Sequence, residues 1–347
     1  MNEQRNIRKT VVAAVMLSLL SIAAAAGIVW IARNSRDGHG SEAGGEHDIN
    51  KQPYVTSTLK CQTDLGCVPD FAFASGDLYV FFNEYLDVYD LNGKCTSHTT
   101  GHKVVKADGG KKSMYFIDEN KDLYSFDMKT DKSRKLLGGV CDISVGNWVN
   151  GAVTEDGKLY LWGENAGHYV AGSSPVNEPT EYKSDVHWVD IESGLQYLLL
   201  LDDKGNVYES RTTEDTYPIK KIDALKDIES IYCCSEKIAV SKNGHINYWF
   251  GDYDSDEHST YTDPPKKMEA VLNGLKPDSF RLSGHYSIAI VGNEVFYWGY
   301  FGPSKYNKGE DNIRSPKYDS GLTDFDEIYC GSFTYVRKGK TVRIYKR

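Results

Sequence analysis

Ile143-Ser-Val-Gly146, followed by Leu159-Tyr-Leu-Trp162, is the pair of segments that decides the fold. The first reads as a strand ending in small residues, the second as a short strand ending in an aromatic. Both recur. Strands ending in small residues return at Ile191-Glu-Ser-Gly194, Ile231-Tyr-Cys-Cys234, Phe280-Arg-Leu-Ser-Gly284 and Ile328-Tyr-Cys-Gly331, with weaker copies ending at Gly66 and Gly110. The aromatic-ended strand returns at Leu78-Tyr-Val-Phe81, Leu123-Tyr-Ser-Phe126, Ile246-Asn-Tyr-Trp249, Val295-Phe-Tyr-Trp298 and Val342-Arg-Ile-Tyr345, and loses its aromatic at Val207-Tyr-Glu-Ser210. The first segment ends 14 to 16 residues before the second in all seven copies. A unit of about 40–50 residues made of short strands is the pattern of a β-propeller.

Between the two landmarks lie tight turns: Glu155-Asp-Gly157, Lys204-Gly205, Asn243-Gly244, Gly292-Asn293 and Lys338-Gly339. Gly and Asn supply the positive φ that short hairpins need. Each unit therefore reads as inner strand, second strand, turn, third strand, longer excursion, outer strand. Inner strands crowd at the ring axis, so their ends favour Gly, Ser and Cys. The last unit, 325–347, has room for three strands. Tyr54-Val-Thr-Ser-Thr-Leu59 has strand composition and no unit of its own, so it is the expected fourth, sealing the ring and hiding both edges. The expected fold is all-β, a seven-bladed propeller over 54–347.

Residues 10–32 are an uncharged stretch long enough, as a helix, to span a bilayer core of about 30 Å. Arg5, Arg8 and Lys9 precede it and Arg33 and Arg36 follow. This basic excess in front favours a cytoplasmic stub over 1–9, a signal-anchor helix and an exported body. The rival is a cleaved signal peptide with Ala23-Ala-Ala-Ala26 at the cut. Residues 33–53, rich in Gly, Ser, His and acid, read as a flexible linker. The expectation is a single-pass protein of the cell membrane with its C-terminal body outside the cytoplasm. A net charge of −9 argues against a nucleic-acid partner, since phosphate binding needs a basic surface. Seven cysteines are present and no CxxC pair. Cys61–Cys67 is the foremost disulfide candidate, and Cys233, Cys234 and Cys330 occupy small-residue slots.

Leu159-Tyr-Leu-Trp-Gly-Glu-Asn-Ala-Gly167, and Gly284-His-Tyr-Ser-Ile-Ala-Ile290 followed by Val295-Phe-Tyr-Trp-Gly299, resemble the repeat of the regulator-of-chromosome-condensation propeller family, with Tyr286 where the family usually has His. The resemblance covers about 140–347; together with the N-terminus it implies a bacterial-type, membrane-anchored member. The first two units differ: Tyr85-Leu-Asp-Val-Tyr-Asp-Leu-Asn-Gly-Lys94 and Leu123-Tyr-Ser-Phe-Asp-Met-Lys-Thr-Asp-Lys132 look like hairpins of other extracellular propellers. Family members serve as exchange factors for small GTPases, as secreted inhibitors of β-lactamases and as interaction modules. What the resemblance implies here is a rigid disc that binds a macromolecule on one face.

Chemistry-bearing motifs are sparse. HExxH, GxSxG and P-loop patterns are absent; Gly109-Gly-Lys-Lys-Ser113 lacks the full phosphate-loop spacing. Asp252, Asp254 and Asp256 alternate as calcium ligands do, but Glu257 stands where a central Gly belongs. Inner-strand acids Asp142, Asp190 and Glu192 are candidates for paired carboxylates facing the channel. No catalytic residue and no cofactor is expected. Tyr, at 24 residues, outnumbers Phe, at 12, and Tyr favours interfaces. Loops after the first and third strands share one face, and they place Trp148, Tyr169, Tyr197, Tyr253, His258, Tyr261, Tyr286, Tyr300, Phe301 and Tyr306 there as candidate partner-binding residues. The primary functional expectation is a non-catalytic protein-binding module; the alternatives are carbohydrate binding or hydrolysis at the cell surface, or inhibition of a secreted enzyme after signal cleavage.

Overall fold

Seven short strands converge at a hub, each the innermost of a blade: Phe71–Ser75, Val104–Gly109, Val140–Val145, Trp188–Ser193, Ile228–Cys233, Ser279–Leu282 and Glu327–Cys330. Each touches the next around the ring, and the last touches the first. The computed structural model describes residues 57–170, 174–213, 218–234, 236–250, 279–283, 286–300, 312–331 and 333–346, with the backbone alone at 248, 250, 298–300, 312–317 and 346. Every blade is an antiparallel meander running inner, second, third, outer. Six have four strands; among the described residues the blade that starts at Ile228 has three.

The ring closes as the composition of the N-terminal strand suggests, with a shifted boundary. The closing strand is Thr58–Asp64, not 54–59. It pairs antiparallel with Thr341–Lys346, from Thr58 opposite Lys346 to Asp64 opposite Thr341, completing blade 7. Residues 54–56 lie outside the described residues. Just ahead of the strand, Ser57 donates its hydroxyl to Asp319 (2.6 Å), a fully buried carboxylate that also accepts the Gly321 N–H (2.7 Å). On the far side of the seam, the Tyr335 hydroxyl donates to the Gly76 carbonyl of blade 1 (2.8 Å).

The first repeat is misregistered by the spacing argument. Leu78–Phe81 lies in a second strand, Asp77–Phe82, reached from the inner strand through Gly76 at φ 78°. The third strand is Tyr85–Tyr89, and Tyr89 is the true counterpart of Phe126. The Gly66 landmark falls in the turn after the closing strand. A second strand wedged between two blades is buried throughout, so it carries the same apolar run and aromatic end as a third strand. Both early hairpins named above are third-to-outer hairpins.

The turns between second and third strands repeat to the atom in blades 2 to 5. Asp118, Thr154, Asp202 and Ser241 each donate the backbone N–H to the carbonyl four residues on and accept an N–H from three residues on. Their side-chain oxygens accept the N–H four residues on, at 3.0, 3.2, 2.8 and 3.0 Å. The residue before the third strand's first hydrogen bond has positive φ: Lys121, Gly157, Gly205 and Gly244. Sequence reading found the glycines of this turn but not the Asp/Thr/Ser that holds it closed.

At the hub, crowding explains the small residues. A Cβ on Gly194 would stand 2.3 Å from the Cys234 carbonyl, and one on Gly146 2.3 Å from the Ser193 hydroxyl. Gly194→Ala is therefore expected to destabilise the protein by about 1–3 kcal/mol, the usual cost of overpacking a site walled by backbone; a urea midpoint unchanged from the parent would refute this. Cys233 and Cys330 are buried in equivalent slots. Cys61 and Cys67 are not joined: all seven cysteines are free, and the extended strand from Cys61 to Asp64 carries the chain away from Cys61.

Among the described residues no helix is long and apolar enough to cross a membrane. Residues 10–32, the expected anchor, lie outside the described residues.

Candidate protein-binding face and hub

The antiparallel meander puts inner-to-second and third-to-outer connections on one face of the disc. The opposite face carries the second-to-third turns, which span 83–84, 119–122, 155–158, 203–206, 242–245, 292–293 and 339–340. It also carries the outer-to-inner connections, among them 222–227 and 319–326. The longest described connection on the first face runs over 164–175 in blade 3.

The described part of this face is pinned by side chains. After the third strand of blade 3, Ala166–His168 forms one 3-10 turn. The Asn165 amide donates to the Thr212 carbonyl of blade 4 (2.7 Å), and the Tyr169 hydroxyl donates to the Arg211 carbonyl (2.9 Å) while meeting the Ser210 hydroxyl (2.9 Å). Trp148 is half-buried against the apolar core between blades 3 and 4. Gly163, at φ 123°, leaves no room for a Cβ, which would sit 2.8 Å from the Trp148 carbonyl. Asn147, Glu164, His168 and Gln196 are exposed around these anchors.

Two of the candidate tyrosines face inward. Tyr197 is 6% exposed, with the Lys237 ammonium 3.2 Å above its ring centroid. Tyr286 is 7% exposed, and its hydroxyl reaches the Gly331 and Phe333 carbonyls of blade 7, each at 3.2 Å. Both, like Tyr169, fasten one blade to the next. Tyr300 lies in a third strand described by backbone alone. Tyr253, His258, Tyr261, Phe301 and Tyr306 lie outside the described residues, as do Asp252, Asp254 and Asp256.

The hub gathers the inner-strand acids and two residues the sequence reading missed. Lys106 and Asp108 come from blade 2, Asp142 from blade 3, Asp190 and Glu192 from blade 4. Lys106 pairs with Asp142. Asp142 also accepts the N–H of Ile143 (2.8 Å) and, from the next blade, that of Ile191 (3.2 Å). Asp108 makes the same link one blade earlier, accepting the Val145 N–H (2.7 Å), and Ser144 accepts the Ser193 N–H (2.8 Å). Thus these side chains stitch neighbouring inner strands together. The signal for Lys106 and Asp108 is the alternation shared with Asp142/Ser144 and Asp190/Glu192, set by a bulge one residue earlier in each strand.

Protein surrounds these groups closely, while Lys106 keeps 35% side-chain exposure and Asp142 only 9%. Burial opposes the charge on Lys106, but Asp142, Asp190 and Glu192 outweigh it and raise its pKa. Asp190 is held well above the usual carboxylate range by burial and then by the charge and hydrogen bond of Asp142. Glu192 is pushed up to about 8, first by burial, with Lys106 opposing and Asp142 and Asp108 adding to the rise. A carboxyl whose pKa rises on folding takes up a proton, so stability falls as pH climbs from about 4.5 to about 8. Glu192→Gln is expected to flatten this fall and to be most stabilising, relative to the parent, above pH 8. Urea midpoints at pH 5 and 8.5 that change equally in both proteins would contradict it.

Asp142 and Asp108 spend their oxygens on Lys106 and on backbone N–H groups. Among the described residues no three His, Cys, Asp or Glu side chains are placed to hold a metal ion.

A seven-bladed disc sealed by an N-terminal strand is a β-propeller, and its repeat is similar to that of RCC1-like propellers. No family model matches the chain. Human HERC2, an E3 ubiquitin-protein ligase, is 28% identical over a 222-residue alignment covering 56% of this chain and 5% of that protein. The chain thus spans a small fraction of that relative. Among solved structures, Prp20p of Saccharomyces cerevisiae superposes with a TM-score of 0.56 at 15% identity, covering 79% of this chain and 81% of that one. Yeast RCC1 (Prp20) in complex with Kap60 gives 0.56 at 14%, covering 92% and 96%. Human WBSCR16 gives 0.57 at 11%, covering 79% and 85%. These likenesses show the fold.

Proposed function

We propose that the protein is a membrane-anchored, extracytoplasmic propeller that binds another protein through its long-loop face, without catalysis. The observation that carries this reading is the 164–175 connection, pinned at its base by Asn165 and Tyr169 and bordered by exposed Asn147, Glu164, His168 and Gln196. Prp20p, with the same fold, is described with binding properties to Gsp1p and histones, and yeast RCC1 with Kap60 bound. Those partners belong to those proteins; the net charge of −9 suits a partner with basic patches here. The apolar stretch 10–32, with its basic excess in front, supports the anchor and the exported body.

The test is affinity capture from intact cells with the full chain displayed in its membrane. The expected result is a protein that binds saturably and is lost when 164–175 is replaced by a short Gly-Ser turn. Saturable binding or turnover on a glycan array, with no protein partner, would replace this reading with the carbohydrate one. Mass spectrometry of the mature N-terminus decides the address: a chain beginning beyond residue 26 would remove the anchor and favour a released inhibitor.

A further inference from the structure

Blades 7 and 1 meet where the ring closes. Leu78, Val80 and Tyr89 of blade 1 pack there with Tyr335, Val342 and Ile344 of blade 7, and Cys61 of the closing strand packs onto the same cluster. Its sulfur reaches the third-to-outer turn of blade 1: a Cβ on Gly93 would stand 3.4 Å from Cys61 Sγ. Cys95 begins the outer strand that follows this turn and lies directly opposite Tyr89 in the strand pair. Paired residues on antiparallel strands project from the same side of the sheet. Cys95 therefore leaves blade 1 on the side of Tyr89, the side turned toward blade 7. Cys95 is exposed and Cys61 half-buried, and both are free.

We propose that Cys61 and Cys95 form a reversible disulfide across this seam, a redox lock holding the closing strand to blade 1. A disulfide needs Cα atoms within about 7 Å, and the Cys61 sulfur lies beside Gly93, two positions from Cys95. The oxidant is a disulfide, either a low-molecular-weight one or that of a carrier protein. The Cys95 thiolate attacks one of its sulfurs, forming a mixed disulfide and expelling a thiolate. The Cys61 thiolate then attacks the Cys95 sulfur, closing the cross-link and expelling the second carrier thiolate. The two protein thiols lose two protons and two electrons; the carrier is reduced to two thiols. Partial desolvation of the Cys95 thiol raises its pKa, with the Ser97 hydrogen bond opposing and the Asp87 charge adding to the rise, so the first step accelerates as pH rises.

The test uses the purified full-length chain, equilibrated with oxidised and reduced glutathione, quenched with N-ethylmaleimide and mapped by mass spectrometry without reduction. The expected product is a peptide joining Cys61 to Cys95, formed equally in Cys67→Ser, absent from Cys61→Ser and Cys95→Ser, and reversed by dithiothreitol. The oxidised parent melts several degrees above the reduced one, a difference that both single variants lose. Full alkylation of Cys61 and Cys95, a Cys61–Cys67 peptide in its place, or stable glutathione adducts on Cys95 would each overturn the assignment. A cross-link with no change in melting temperature would overturn the lock. The chemistry is read in a glutathione buffer, so the outcome is independent of where the protein resides.

Discussion

Asp319→Ala is expected to lower stability by about 3 kcal/mol, the scale for losing a charged acceptor from a buried network. Asp319 is fully buried and is the point at which the chain ahead of the closing strand is fastened to the ring. It accepts the Ser57 hydroxyl and the Gly321 N–H, and Ser57 in turn meets the Tyr297 hydroxyl (3.1 Å). Removing the carboxylate leaves three polar groups with little access to water. For a body of this size the loss corresponds to a fall in melting temperature of roughly 5 °C. Ser57→Ala removes one hydroxyl and is expected to cost about 1 kcal/mol. Opening this corner unpairs Thr58–Asp64 from Thr341–Lys346 and exposes the hydrogen-bonding edges the two strands share, so the Asp319 variant should also aggregate sooner on heating. Differential scanning calorimetry of the two variants decides the matter; equal melting temperatures would show that the closing strand is held without this contact.

Lys237→Ala is expected to be the most damaging single change, at about 3–5 kcal/mol, because it strips the cation from a buried pair. The Lys237 side chain is fully enclosed between blades 4 and 5. Its ammonium meets Glu209 at 3.0 Å, sits 3.2 Å from the centroid of Tyr197 and lies 5.8 Å from that of Trp249. The Trp249 indole N–H donates to the same Glu209 oxygen (2.8 Å). Without the ammonium, Glu209 must either remain charged in an apolar seam or take up a proton. Lys237→Met combined with Glu209→Gln removes both charges and keeps the volume, so it should recover most of the loss. A double-mutant cycle by urea denaturation measures the coupling; additive single effects would mean the pair is not a unit.

The long-range plan of the protein was legible because it is periodic. Two landmarks in constant register, glycine-marked turns and a three-stranded last unit suffice to predict a sealed seven-bladed ring, since each follows from local rules about strands and turns. The first blade was misread because its second strand, buried on both sides, imitates a third strand in composition. The hub acids Asp142, Asp190 and Glu192 were visible as alternating positions, yet nothing along the chain says that Asp142 pairs with Lys106 from the preceding blade.

The tyrosines show the same division. Their number predicted surfaces that matter, but Tyr169, Tyr197 and Tyr286 are used between blades, which only the neighbouring strands could reveal. Local sequence determined the strands, turns and repeat, because hydrophobic alternation and backbone preference act over a few residues. Tertiary structure alone decided which side chains share a seam: Cys61 with Gly93, Lys237 with Glu209, Ser57 with Asp319. Such partners lie far apart along the chain, and they meet because the ring curves until its ends touch.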